Sequence, residues 1–172
     1  RVRGPAHPEL GYLLGHYGAF YERLDDHAKA RPLLERALAI REKALGPNHP
    51  SVAWNLTQLA TVLRGMGDNA AALPLIERAL RIQEQALGPN HSQLAETLRN
   101  RARIAQELRN YVLARNDLDR ALQIAEPALG PNHPRIGLLL NNLGIVLLQT
   151  RDTAGAQAAS PAGCRRISPR MS

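Results

Sequence analysis

The feature that most constrains this chain is an internal repeat with a period of 42 residues. Two strings recur in phase: Leu-Gly-Pro-Asn-His at 45–49, 87–91 and 129–133, with a weaker copy at 4–8, and Glu/Asp-Arg-Ala-Leu at 35–38, 77–80 and 119–122. Two motifs that keep one period over three copies predict a fold made of equal units, each packed against the next.

Each period is interpreted as two helices. In the second copy Pro50 suits the first turn of a helix, where its missing N–H would be unpaired anyway, and Asp68 or Asn69 can cap the next helix. Apolar residues recur at helical spacing between these signals: Leu56, Leu59, Ala60 and Leu63, then Ala72, Ile76, Ala79 and Leu80. This spacing gives each helix one apolar face, so we predict a stack of helical hairpins.

These residues resemble the tetratricopeptide repeat, in the long form found in kinesin light chains and in many bacterial proteins. That pattern places large and small apolar residues at fixed positions, matched here by Leu59, Ala60, Leu63, Gly67, Ala72, Ile76 and Ala79. The resemblance implies an all-α, right-handed α-solenoid of antiparallel helix hairpins. It also implies repeats at 1–44 (truncated), 45–86, 87–128 and 129–157 (partial), followed by an irregular tail at 158–172.

Two departures from the family pattern stand out. Arg101 occupies a position where the family has a large apolar residue, so we expect loose packing there or a side chain that reaches solvent. Near the end, Pro161 and Gly163 would break the last helix of the fourth repeat. Because the chain also opens in mid-pattern at Arg1, we expect a fragment of a longer protein.

The net charge argues against a nucleic-acid partner. The formal charge is +7, but Arg1, Arg3, Arg165, Arg166 and Arg170 lie in the terminal segments. Setting these five aside leaves +2 for the body of the chain. A nucleic-acid-binding helical array would need a continuous basic strip, so that function is kept only as an alternative.

The remaining global signals favour a cytoplasmic protein. No secretory signal peptide is visible. The most apolar stretch, 136–148, is interrupted by Asn141 and Asn142 and is too short to span a bilayer. The single cysteine, Cys164, excludes an internal disulfide and a cysteine metal cluster.

The candidate functional surface is the open face of the first helix in each copy, which lines the concave side of such a stack. The predicted groove residues are Trp54, Thr57, Thr61, Arg64, Glu96, Arg99, Asn100, Arg103, Asn141 and Asn142, with apolar Leu138, Ile145 and Leu148 beside them. Guanidinium groups bind carboxylates, and tryptophan is enriched at binding hot spots. We therefore predict a groove for an extended, acidic peptide; the alternative is a solvated face whose arginines pair with Glu96 and Glu107.

Neither a metal site nor catalysis is expected. His7, His49, His91 and His133 recur once per period, too far apart to share a zinc ion, and are interpreted as helix caps. Phosphate loops and hydrolase motifs are absent from the sequence, so we expect no enzymatic activity and no cofactor.

The acidic pairs at 25–26 and at Asp117 and Asp119 are interpreted as solvated charge. The apolar fourth copy adds self-association through the C-terminal end as a further possibility.

Overall fold

The structure, a computed structural model, describes residues 7–150, and this part of the chain contains seven α-helices and no strand. The helices are α1 (Pro8–Arg23), α2 (His27–Leu45), α3 (Pro50–Gly65), α4 (Asn69–Leu87), α5 (Gln93–Glu107), α6 (Tyr111–Leu129) and α7 (Pro134–Gln149). The second helices α2, α4 and α6 begin 42 residues apart and are each 19 residues long. The predicted pair of helices per period is confirmed.

The chain divides into two compact units after Asn90. In unit 1, α1 pairs with α2 and α3 pairs with α4, while α2 and α1 both contact α3. Its core includes a cluster formed by Val52, Ala53, Leu56, Ala79 and Ile82, all nearly or fully buried. In unit 2, α6 packs against both α5 and α7.

His7, His49 and His133 cap the first helix of their copies, as predicted. His49 accepts a hydrogen bond at Nδ1 from the backbone N–H of Ser51, at 3.1 Å, and His7 and His133 cap α1 and α7 in the same way. In the third copy Ser92 replaces the proline, and α5 begins one position later in the period. His91 still accepts from the N–H of Gln93 at 3.3 Å, so the histidine contact does not depend on proline.

A glycine ends each second helix for a backbone reason. Gly46, Gly88 and Gly130 have φ of 88°, 88° and 79° with ψ near 160°. A residue with a β-carbon is strongly disfavoured in this region of φ and ψ. The regular recurrence of the glycine in this string therefore reflects a backbone conformation that is required at the end of each second helix.

Helices α1 and α2 pack tightly at Gly18, and this contact supports a first prediction. A β-carbon at Gly18 would lie 2.5 Å from Cγ of Leu34, so Gly18→Ala should lower the free energy of unfolding by about 1–3 kcal/mol through overpacking. The matched control is Gly137→Ala in α7, where no atom lies within 4 Å of the added carbon. That change should stabilise by about 0.5–1 kcal/mol through helix propensity. Urea denaturation measures both, and equal effects would contradict the assigned contact.

Overpacking is also expected at the crossing of α3 and α4. Ala79 is fully buried in the core cluster of unit 1, where a small side chain lets two helices approach closely. Ala79→Leu should therefore lower the free energy of unfolding by about 1–3 kcal/mol. Thermal unfolding followed by circular dichroism tests this, and an unchanged melting temperature would show that the crossing has room for the larger side chain.

Two expectations about charged residues of the third copy were wrong. Arg101 neither packs loosely nor reaches into solvent, because its guanidinium binds both carboxylate oxygens of Asp117, at 2.7 and 2.6 Å. Asp117, interpreted from the sequence as solvated, is only 3% exposed. One period earlier the same two positions hold Leu59 and Leu75. An ion pair has thus replaced an apolar pair at this contact between α5 and α6.

Several predictions concern residues 1–6 and 151–172, which lie outside the described residues. They include the end of the fourth repeat, the helix break at Pro161 and Gly163, the irregular tail with Cys164, and the terminal arginines. The proposed repeat boundaries themselves also stay predictions.

Candidate functional site

In unit 1 the predicted groove residues lie along α3. Trp54, Thr61 and Arg64 are half-buried, whereas Thr57 is only 7% exposed. The Thr57 hydroxyl donates to the carbonyl of Ala53 and the Thr61 hydroxyl donates to the carbonyl of Thr57, both at 3.0 Å. Both hydroxyl protons are therefore used within the helix, which leaves Trp54 and Arg64 as the residues best suited to contact a ligand.

In unit 2 the predicted residues lie on α5 and α7. Glu96, Arg99, Asn100 and Arg103 belong to α5, and Asn141 and Asn142 belong to α7. The Arg99 side chain donates to Glu96 through Nε, at 3.2 Å, and through a shorter contact from Nη2. This pair agrees with the alternative in which Arg99 is neutralised by its neighbour on the helix surface.

The most distinctive cluster of unit 1 surrounds the guanidinium of Arg41, which we call the Arg41 cluster: Arg41, Tyr12, His16 and Trp54. The His16 ring lies 4.3 Å from the Tyr12 ring and 5.0 Å from the Trp54 ring, between centroids. The Arg41 guanidinium lies over the Tyr12 and Trp54 rings at 5.8 and 5.4 Å. Three helices thus bring three aromatic rings and one cation together, and the quadrupoles of the Tyr12 and Trp54 rings favour the cation.

The cation itself is buried without a carboxylate partner among the described residues. Arg41 is 6% exposed, and its Nη1 donates to the backbone carbonyl of Ser51 and to Oδ1 of Asn55, both at 3.0 Å. Burial lowers the pKa of the Arg41 guanidinium, since desolvation disfavours the charged form. Among the described residues, this buried charge is therefore balanced by the dipoles of a carbonyl and an amide and by two aromatic rings, and not by a carboxylate.

Sequence reasoning found Trp54 but missed the other members of the Arg41 cluster. Tyr12 stands one period before Trp54, so extending the groove positions into the first copy would have found it. Arg41 gave no periodic signal, because the same position holds Gln83 and then Ala125 in later copies. Gly15 adds to the tight fit, since a β-carbon there would lie 2.9 Å from Oδ1 of Asn55.

In unit 2 the open face of α7 is apolar. Leu138 and Leu148 are 56% and 61% exposed, and Ile145 is 40% exposed. Exposed Asn141 lies on the same helix. Large apolar side chains that remain in contact with water are typical of surfaces that bind another molecule.

The comparison with known families decides what kind of chain this is. The sequence profile of the tetratricopeptide repeat matches residues 9–85, 56–116 and 93–159. The chain belongs to the tetratricopeptide repeat family. Tetratricopeptide repeats generally mediate protein–protein interaction. No curated protein matches the chain in sequence.

Solved structures confirm the all-α solenoid class of tetratricopeptide-like repeats. BtubC (BKLC) from P. vanneervenii is 22% identical, with a TM-score of 0.83 over 96% of this chain and 70% of that one. A kinesin-light-chain-like protein with nearly identical TPR-like repeats from Podosopora anserina is 22% identical, with a TM-score of 0.80 over 95% of this chain and 79% of that one. A crystal structure of a single-residue variant of that protein is 21% identical, also with a TM-score of 0.80, over 92% and 74% of the two chains.

Among the helices that the structure describes, none is long and apolar enough to cross a bilayer.

Proposed function

We propose that this tetratricopeptide chain is a non-enzymatic scaffold that binds an extended, acidic segment of a partner protein. The family membership supports protein binding, and the positive charge of Arg41 and Arg64 in unit 1 supports an acidic ligand. The residues proposed to contact such segments are Trp54, Thr57, Thr61 and Arg64 in unit 1, and Glu96, Arg99, Asn100, Arg103, Asn141 and Asn142 in unit 2. In unit 1 we add Tyr12 and His16, whose rings neighbour Trp54.

The observation that carries the acidic preference is the Arg41 cluster. A guanidinium that is 6% exposed has no described carboxylate partner, and charges in such surroundings are screened less than charges at the surface. A ligand carboxylate placed on the open side of Tyr12 and Trp54 would therefore be attracted. The aromatic rings would at the same time supply apolar contact area for the rest of the ligand.

The single tryptophan of the chain allows a direct test. Trp54 fluorescence is followed during titration with an acetylated peptide of alternating glutamate and glycine, and with its counterpart in which lysine replaces glutamate. We expect a saturable change in emission with the glutamate peptide, weakened by added salt, and none with the lysine peptide. A failure of the glutamate peptide to bind, or equal binding of both peptides, would overturn the proposed acidic preference.

A matched pair of arginine variants separates site binding from general attraction. Arg64→Gln removes a charge at the candidate surface, whereas Arg36→Gln removes the same charge from an exposed position of α2. The Arg64 variant should bind the glutamate peptide about three- to tenfold more weakly, and the Arg36 variant should stay within about twofold. Equal weakening by both variants would point to the net charge of the chain instead of a site.

Nucleic acid is the alternative ligand that the same titration can address. Single-stranded RNA and duplex DNA are added in place of the peptides at two salt concentrations. We expect no saturable binding, because Glu96 and Glu107 interrupt the basic positions of α5. Tight binding with a steep salt dependence would instead favour a nucleic-acid array.

Self-association is a second candidate function, favoured by the exposure of Leu138 and Leu148 on α7. If this face binds a second copy, the sedimentation coefficient should rise with protein concentration, and Leu148→Gln should reduce that rise. A monomer at every concentration would remove this candidate and leave the α7 face open to a peptide.

The biological setting proposed from the family resemblance is a regulatory arm of a larger cytoplasmic protein. Similar repeats are often attached to signalling ATPases, proteases or kinases in bacteria, and the alanine- and arginine-rich composition is compatible with such a source. The complete reading frame around this segment tests the proposal. A catalytic domain in the same frame would support it, and a frame that encodes only these repeats would contradict it.

A further inference from the structure

The Arg41 cluster of unit 1 contains one side chain whose charge can change near neutral pH, the imidazole of His16. This ring is exposed on α1 and lies between two aromatic rings, with centroid distances of 4.3 Å to Tyr12 and 5.0 Å to Trp54. Histidine is the residue type whose ordinary titration falls between about pH 5 and 8. The proposed binding surface therefore includes a group that can gain a positive charge in this range.

The other three histidines of unit 1 have structural surroundings. His7 and His49 cap α1 and α3, and each accepts a hydrogen bond at Nδ1 from a backbone N–H. The ring of His27 packs against Gly65 at the end of α3. Among the described residues, His16 is the histidine whose ring contacts that of Trp54.

The charged groups that face His16 from α2 and α3 are both cations. On α2 the guanidinium of Arg41 lies over the same two aromatic rings. Helix α3 contributes a single charged residue, Arg64. On α1 itself the carboxylates belong to Glu9 and Glu22, which are about 10 and 9 Å from His16 along the helix axis.

The remaining titratable groups do not balance a charge on His16 either. The carboxylates of α2 are paired elsewhere, Glu35 with Arg31 at 2.8 Å and Glu42 with Arg78 at 2.6 Å. The phenol of Tyr12 touches His16, and phenols are uncharged at neutral pH. Protonation of His16 would thus place a second positive charge beside Arg41, with no ion pair to a described carboxylate.

We propose that protonation of His16 regulates the binding of acidic segments at the Arg41 cluster, so that affinity rises as the pH falls from about 8 to about 5.5. The inference rests on the proposed function and adds its regulation. Glutamate side chains stay ionised above about pH 5, so the ligand keeps its charge while His16 gains one. A ligand that prefers the protonated site binds more tightly at the lower pH.

The direct test is a titration with the same glutamate peptide at about pH 5.5 and about pH 8, at constant ionic strength. The dissociation constant is compared at the two pH values, because the emission of Trp54 can itself change when a neighbouring ring is protonated. We expect about two- to fivefold tighter binding at the lower pH, the strength of an exposed charge pair. Equal dissociation constants would overturn the regulation.

Matched variants assign the effect to one ring. His16→Gln introduces the residue that stands one period later, Gln58, and should bind the peptide equally at both pH values. His16→Lys keeps a positive charge throughout and should bind at about pH 8 as tightly as the wild type does at about pH 5.5. His91→Gln, in unit 2, removes one titrating charge from the chain and should keep the wild-type pH dependence. Full pH dependence in the His16→Gln variant would show that another group is responsible.

A second measurement on the wild-type protein separates regulation from a structural role. Because coupling between two binding events is reciprocal, bound peptide should retain the proton on His16. The Cε1 proton resonance of His16 should therefore titrate at higher pH with the peptide than without it. An unchanged titration would contradict the coupling even if the variants bind less well.

The two proposals can fail separately. If the glutamate peptide binds equally well at both pH values, the acidic preference stands and its regulation by His16 is wrong. If the peptide binds at neither pH, the acidic preference is wrong and the regulation falls with it.

Discussion

Replacing Asp117 with alanine is expected to lower the free energy of unfolding by about 3–5 kcal/mol. The Asp117 side chain is 4% exposed and the Arg101 side chain 17% exposed, so the change would remove the carboxylate that binds a guanidinium largely shielded from water. Urea denaturation followed by circular dichroism measures the loss. A loss below about 1 kcal/mol, the range of surface ion pairs, would mean that water reaches Arg101 readily.

The repeat provides the control for this ion pair. Leu59 and Leu75 occupy the two positions one period earlier, and Leu59 is 4% exposed. The double variant Arg101→Leu/Asp117→Leu should therefore be as stable as the wild type or more stable by about 1–4 kcal/mol. Arg101→Leu alone leaves Asp117 buried and should destabilise. If the double variant were as unstable as Asp117→Ala, the pair would have a structural role that leucine cannot replace.

The sequence predicted the helices because their signals are local and repeated. Capping by His49, the first-turn position of Pro50 and the cap at Asp68 each depend on residues within one turn of the helix end. Repetition every 42 residues then placed equivalent helices in the same surroundings. The start of α5 shows the limit of this reasoning, since a single Ser92 moves it by one position.

Contacts between helices were harder to predict. Arg101 was recognised as an exception to the family pattern, but its partner lies 16 residues away on another helix, where no helical spacing connects the two. The surroundings of Arg41 come from α1 and α3, and the residue at its position in the repeat differs from copy to copy.

Replacing Arg41 with alanine is the second change with a large expected effect, a loss of about 2–5 kcal/mol in the free energy of unfolding. The loss combines the packing of the side chain stem and guanidinium against Tyr12 and Trp54 with the unpaired acceptor left on fully buried Asn55. Thermal and urea unfolding measure it. The emission of Trp54 should also change in the folded state, because its ring loses the neighbouring cation.

A pair of variants separates the charge of Arg41 from its shape. Arg41→Met keeps much of the packing but removes both donated hydrogen bonds, so it should still destabilise by about 1–3 kcal/mol. The second change, Asn55→Leu, introduces the residue found two periods later, Leu139. It removes the amide that has lost its hydrogen-bond partner and should recover most of the lost stability, because apolar replacement of both partners can be nearly neutral. Binding then discriminates the roles: if the stable double variant loses affinity for the glutamate peptide, the buried cation attracts the ligand. Unchanged affinity would instead mean that Arg41 only stabilises the packing of α1, α2 and α3. Arg64 would then be the cation that selects acidic partners in unit 1.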